Sequence, residues 1–142
     1  MIRTISGGTN GRFGVAAVLV CVLAGLTGCA ADHRPKYVMP KKPLSEVAVV
    51  VGQYNVLSSF EIQEVDGARV DVPPFSTNYP VKVMPGERSL TVAAKTGGGE
   101  SRYTFVHNFT AGHRYVISGS GGLTQGGLKV TDKTTNTSTV ID

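Results

Sequence analysis

Apolar and polar positions along the chain fall into three regimes. Val15 to Ala24 is continuously apolar, Ala30 to Pro43 alternates prolines and cations with almost nothing to bury, and from Glu46 onward apolar residues come in short runs of period two. Period two is the signature of strands with one buried face. Val47–Val51 is a β-branched run ending at Gly52, which predicts a strand buried on both faces or central in its sheet. Phe60 and Ile62 alternate with Glu61 and Gln63. Asp66-Gly67 then supplies a two-residue hairpin turn, Ala68–Val72 returns, and Pro73-Pro74 stops the strand. Tyr79, Val81 and Val83 alternate with Pro80, Lys82 and Met84 up to Pro85-Gly86, a pair whose glycine suits the positive-φ position of a turn.

Leu90, Val92 and Ala94 form the inward face of the next predicted strand, which Gly97-Gly98-Gly99 ends. Over Arg102–Thr110 the residues Tyr103, Phe105, His107 and Phe109 share one face, and so many rings make it the core face. Ala111-Gly112-His113 turns the chain into Arg114–Ser118, with Tyr115 and Ile117 inward. After the glycine-rich stretch Gly119–Gly127 come Leu128–Thr131, a turn over Asp132–Asn136 and a last strand over Ser138–Ile141. Helical periodicity is missing after residue 46. The expected fold is therefore all-β, an antiparallel β-sandwich of seven or eight short strands over 46–142, with a small barrel as the alternative.

The first regime has another use. A basic stretch with Arg3 and Arg12 precedes the apolar run, which is of signal-peptide length and too short to span a bilayer. The run closes on Leu26-Thr27-Gly28-Cys29, which resembles the lipobox of bacterial lipoproteins. The resemblance implies cleavage before Cys29, with Leu26, Thr27 and Gly28 as signal-peptidase recognition residues and palmitate-type acyl chains on Cys29. Residues 1–28 are then the signal peptide and 29–45 a lipidated, extended tether. In enteric bacteria an aspartate after the lipidated cysteine resembles an inner-membrane retention signal. Ala30 stands there instead, which implies the outer membrane of a Gram-negative cell envelope, facing the periplasm.

Cleavage would leave 114 residues, enough for one domain, and would lower the formal charge from +4 to +2 by removing Arg3 and Arg12. The remaining cations are dispersed except for Arg34, Lys36, Lys41 and Lys42, so the balance does not point to nucleic acid. That cluster lies beside the expected anchor, where each cation could gain about 1 kcal/mol from anionic headgroups. A solvated linker is the alternative. With Cys21 removed and Cys29 acylated, no thiol remains for a disulfide or a metal.

Three stretches, Glu64-Val-Asp-Gly-Ala-Arg69, Val81-Lys-Val-Met-Pro-Gly-Glu-Arg-Ser-Leu-Thr-Val92 and Phe109-Thr-Ala-Gly-His-Arg-Tyr-Val-Ile117, resemble the PEGA and related β-sandwich modules of bacterial envelope proteins. Where the PEGA modules carry their name motif, this chain reads Pro85-Gly86-Glu87-Arg88. The resemblance implies a non-catalytic module that spaces or binds other envelope components. Its motifs are turn chemistry and specify a fold more than an activity.

Candidate chemistry is sparse. An imidazole base must come from His33 in the tether, His107 on the aromatic face or His113 in a turn, and alternation brings no second catalytic group beside either of the last two. His107 and His113 lack the cysteine or helical spacing of a metal site, and no cofactor is expected. Gly122-Leu-Thr-Gln-Gly-Gly127 has the glycine spacing of a phosphate loop, but Leu128 replaces the lysine and a strand follows. Two function classes remain. One is a lipid-anchored, non-catalytic binding module with an envelope protein or glycan partner, marked by an uncovered strand edge. The other is a small periplasmic hydrolase or ligand-binding enzyme using His107 or His113, marked by a pocket whose polar groups converge on either ring.

Overall fold

The computed structural model of this protein describes residues 33–74, 76–120 and 127–141, so the expected signal peptide, the lipobox and most of the glycine loop lie outside the described residues. Strand β1 (Ala48–Gly52) grows from the β-branched run, whose stiff χ1 angles suit extended backbone. It stops for a steric reason. A Cβ at Gly52 would sit 1.7 Å from the Phe60 carbonyl oxygen, so glycine alone admits the approach that lets the chain leave one sheet and open β2 (Ser58–Val65) in the other.

Asp66 and Gly67 have φ of 50° and 76°, the left-handed pair that a two-residue hairpin requires. The return strand β3 covers only Ala68–Arg69, shorter than the expected Ala68–Val72. Val70 still donates to the Gln63 carbonyl at 2.8 Å. There β2 shifts register between Ile62 and Glu64, and such an irregularity bends a strand so that its neighbour diverges.

β4 (Val81–Val83) pairs with β1, whereas β5 (Gly86–Thr96) pairs with β2 and with β6 (Gly99–Phe109). Pro85-Gly86 therefore makes a crossing between sheets, not a hairpin. Gly86 does take the expected positive φ, 97°. Arg88 clamps the crossing, donating from Nε to the Met84 carbonyl at 3.2 Å and from Nη2 to the Pro85 carbonyl at 3.3 Å. β7 (Arg114–Gly119), β8 (Leu128–Asp132) and β9 (Thr137–Ile141) complete the order.

The strands form two packed sheets, β4-β1-β7-β8-β9 and β3-β2-β5-β6. This is the expected β-sandwich, with nine described strands for the seven or eight expected and one departure from antiparallel pairing: β1 and β7 run parallel, Val49 beside Arg114 and Gly52 beside Ile117. Parallel neighbours need a long connection, and the whole β2–β6 excursion supplies it. The predicted faces hold. Phe105 and Phe109 are buried with Leu90, Val92, Tyr115, Ile117, Leu128 and Val130, while Val106, one residue out of phase, is 62 % exposed.

The described part of the expected tether lies against the sandwich. Residues from Arg34 onward belong to the sandwich unit. Tyr37 donates its amide to the Arg69 carbonyl at 2.7 Å and its hydroxyl to the Lys82 carbonyl at 2.9 Å, so it joins the edges of β3 and β4. Tyr37 and Met39 pack on the core between them. These two side chains, with the backbone bonds of Pro35 and Tyr37 to Arg69, dock the segment. Three of its four cations are matched by acids, Arg34 by Glu64, Lys36 by Asp71 at 2.8 Å and Lys42 by Glu46 at 3.4 Å. Charge so matched leaves less attraction for anionic headgroups than the sequence cluster implied.

Candidate functional site

Three places warrant a functional reading: the histidines, a cavity beside β2, and the outer edge of β6. His107 sits on the inward face of β6, its ring edge-on to Phe109 at 4.8 Å and to Tyr115 at 5.5 Å. Burial pushes its pKa below the ordinary imidazole value, with the Asp132 charge opposing that shift. The ring is thus a neutral member of an aromatic cluster. Phe109 and Tyr115 complete it at 4.9 Å, and the Tyr115 hydroxyl accepts the Thr110 amide at 3.0 Å.

His113, expected in a turn, has its ring engaged. Its ring lies alongside Tyr115 at 6.3 Å, its side chain is largely covered, and Nδ1 is 2.7 Å from Oδ2 of Asp132. Alternation on a single strand could not reveal this partner, because Asp132 arrives from β8, 19 residues later. The expectation that no second group stands beside either imidazole is therefore corrected for His113. Asp132 is the sole buried charged side chain among the described residues. Burial raises its pKa, but hydrogen bonds from His113, Thr134 and Thr135 outweigh that and hold it down at about 2.

A carboxylate that orients an imidazole is two-thirds of a hydrolytic triad. Among the described residues, the third, a nucleophile, is not beside the ring. Among the described residues Nε2 of His113 has no hydrogen-bonding hydroxyl. Oδ1 of Asp132 is already used by the Thr134 and Thr135 amides, at 2.8 and 3.4 Å, and so caps the β8–β9 turn. Thr134 in turn accepts the Arg114 amide at 3.1 Å. The pair ties the start of β7 to the β8–β9 hairpin, which is an architectural task.

The cavity lies at the other end of the strands. It encloses about 200 Å³ and is lined by the rings of Tyr54, Phe60 and Tyr79, by Ser59, and by the Glu61–Lys95 pair, whose charged atoms are 3.3 Å apart. Small-molecule sites usually enclose roughly 300–1,000 Å³, so this space suits only a small ligand. Neither histidine lines it. Ser59 stands opposite Lys95 in the ladder, yet no side-chain hydrogen bond joins them, and the ammonium is turned to Glu61. Among the described residues no group of three or more His, Cys, Asp or Glu side chains could hold a metal ion.

The third place is an edge. β6 pairs with β5 in eleven successive positions, from Gly99 opposite Thr96 to Phe109 opposite Gly86, without a bulge. No named strand lies on its other side. Of the usual protections of an edge, β6 lacks proline, a bulge and short length, and keeps only the charges of Glu100 and Arg102. Cys29 and Leu26–Gly28 lie outside the described residues, as does Gly121–Gly126 of the glycine loop. No family model, no curated protein and no solved structure matches this chain.

Proposed function

We propose that this protein is a lipid-anchored, non-catalytic binding module of the bacterial cell envelope, held to the membrane through Cys29 and facing the periplasm. The anchor is supported by the order of basic residues, apolar run and Leu26-Thr27-Gly28-Cys29. The module is supported above all by the unbulged edge of β6, uncovered among the described residues, which leaves a row of backbone donors and acceptors open to another strand. Among the described residues, the cavity beside β2 is lined by neither imidazole. His107 is spent on ring packing and Asp132 on a turn.

The anchor is tested by fractionating cells that express the full chain or Cys29→Ala. Acyl transfer contributes about 0.8 kcal/mol per buried methylene, so the parent should stay in the membrane pellet through a high-salt wash while Cys29→Ala loses its acyl label and its tight association. Equal retention of both would defeat the anchor. The 2.7 Å His113–Asp132 contact favours one second reading, a small hydrolase. It is checked by a folded His113→Ala variant in a deletion strain: full complementation supports the binding module, and failure with intact secondary structure supports the hydrolase.

A further inference from the structure

The open edge of β6 has a definite pattern. Gly97-Gly98 is a two-residue turn, so the flanking pair Thr96 and Gly99 bond to each other across the ladder. Alternation then directs the amides and carbonyls of Glu100, Arg102, Thr104, Val106 and Asn108 away from β5. The free row ends at Asn108, because the next outward groups are taken: the Thr110 amide donates to the Tyr115 hydroxyl and its carbonyl accepts from His113. Thr104 stands at the centre of this row.

We propose that β6 pairs with β6 of a second copy of this chain, antiparallel and with the two-fold axis at Thr104, joining two four-stranded sheets into one of eight. The partner for the edge invoked above is thereby named, and the inference rests on that binding-module reading. In this register Glu100 faces Asn108, Arg102 faces Val106, Thr104 faces its own counterpart, and every outward group between 100 and 108 finds a partner. No like charges are opposed. Val106, 62 % exposed in one chain, is covered by the aliphatic stem of the second chain's Arg102. A slip of the axis to Tyr103 sets Asn108 against Gly98 of the turn, whose amide is given to Thr96, and a slip to Arg102 brings Arg102 against Arg102. A slip to Phe105 or Val106 runs into Thr110, whose backbone groups are already occupied, and leaves Glu100 unpaired.

A foreign strand fits less well. Strand addition takes its specificity from pockets that receive alternate side chains, and the cavity beside β2 is lined by no residue of β6. A single ladder belongs at the weak end of interfaces, below about 1,200 Å², and confinement to a membrane raises the effective concentration that such a pair needs.

Disulfide trapping in the full-length chain reads the register directly. Directly opposed residues of an antiparallel pair lie about 5.5 Å apart at Cα, within the roughly 4.4–6.8 Å of a disulfide. Thr104→Cys should convert to a covalent dimer under mild oxidant. Arg102→Cys, on the same strand and face but four positions from its own counterpart, should give no more dimer than the parent with Cys21 and Cys29. Val106→Pro removes a donor that β5 does not use, so adding it to Thr104→Cys should abolish the dimer while circular dichroism stays native. A folded Thr104→Cys that remains monomeric, dimers equally strong at Arg102→Cys, or dimers that survive Val106→Pro would each overturn self-pairing. Capture of a different protein by Thr104→Cys would assign the edge to a foreign strand and overturn it too. Such failures leave membrane retention through Cys29 intact, and so separate the pairing from the anchored-module reading.

Discussion

The two lateral sides of the sandwich solve the same problem in opposite ways. On one side the short edges of β3 and β4 are closed by the chain's own residues 34–39: the Tyr37 amide bonds to Arg69, its hydroxyl bonds to Lys82, and ion pairs flank it at Glu64 and Asp71. On the other side, among the described residues, β6 and β9 have no strand beyond them, and both are held from within. Phe105 and Phe109 root β6 in the core, and the Asp132–His113 pair fixes the turn that carries β9. An edge can thus be quieted by covering it or held rigid while its backbone groups stay available. Rigidity without cover suits a docking strand.

That contrast can be broken from either side, and the largest effect should come from the root of β6. Phe105→Ala removes a buried ring and is expected to cost about 3–5 kcal/mol in urea denaturation; stability equal to the parent would show that the aromatic face is not the core. Asp132→Ala leaves the His113 ring and the Thr134 amide without their acceptor, for an expected loss of about 1–3 kcal/mol. The same carboxylate makes a pH test. Its folded pKa lies below the ordinary 3.8, at about 2, so its contribution is fully present above 3.8 and is lost as the pH falls toward 2. Asp132→Asn should flatten acid unfolding in that window, and an unchanged acid limb would remove Asp132 from the account.

The closed side should yield more gently. Tyr37→Phe keeps the ring over the core and deletes only the bond to the Lys82 carbonyl, about 1 kcal/mol, read as faster amide exchange around β4 together with a lower midpoint. Lys36→Ala should be the smallest, a few tenths of a kcal/mol, because its partner Asp71 is exposed and such pairs contribute little. The Lys36 hydrogen bond nonetheless lowers the Asp71 pKa, so proton NMR of Asp71 should register the substitution even where denaturation does not. A larger loss for Lys36→Ala than for Tyr37→Phe would mean that charge, rather than Tyr37, closes that side.

Much of this was legible along the chain. Alternation placed Tyr103, Phe105 and Phe109 inward and Thr104 and Val106 outward, Asp66-Gly67 gave its hairpin, and Gly86 its positive φ, because side-chain period and backbone freedom are properties of neighbouring residues. Other features depended on residues far apart. The parallel partnership of β1 with β7, the passage of Pro85-Gly86 from one sheet to the other, and the meeting of His113 with Asp132 all require knowing which strands lie side by side. Tyr37 and Met39 were visible as apolar residues in a basic, proline-rich stretch, but not the gap between β3 and β4 that they fill. By itself, then, the sequence determined the all-β class, the faces of the strands and the tightest turns, since these follow from local sterics and the period of burial. The tertiary structure alone decided which edges are closed and which stay open, because pairing between strands is fixed by the packing of the whole core.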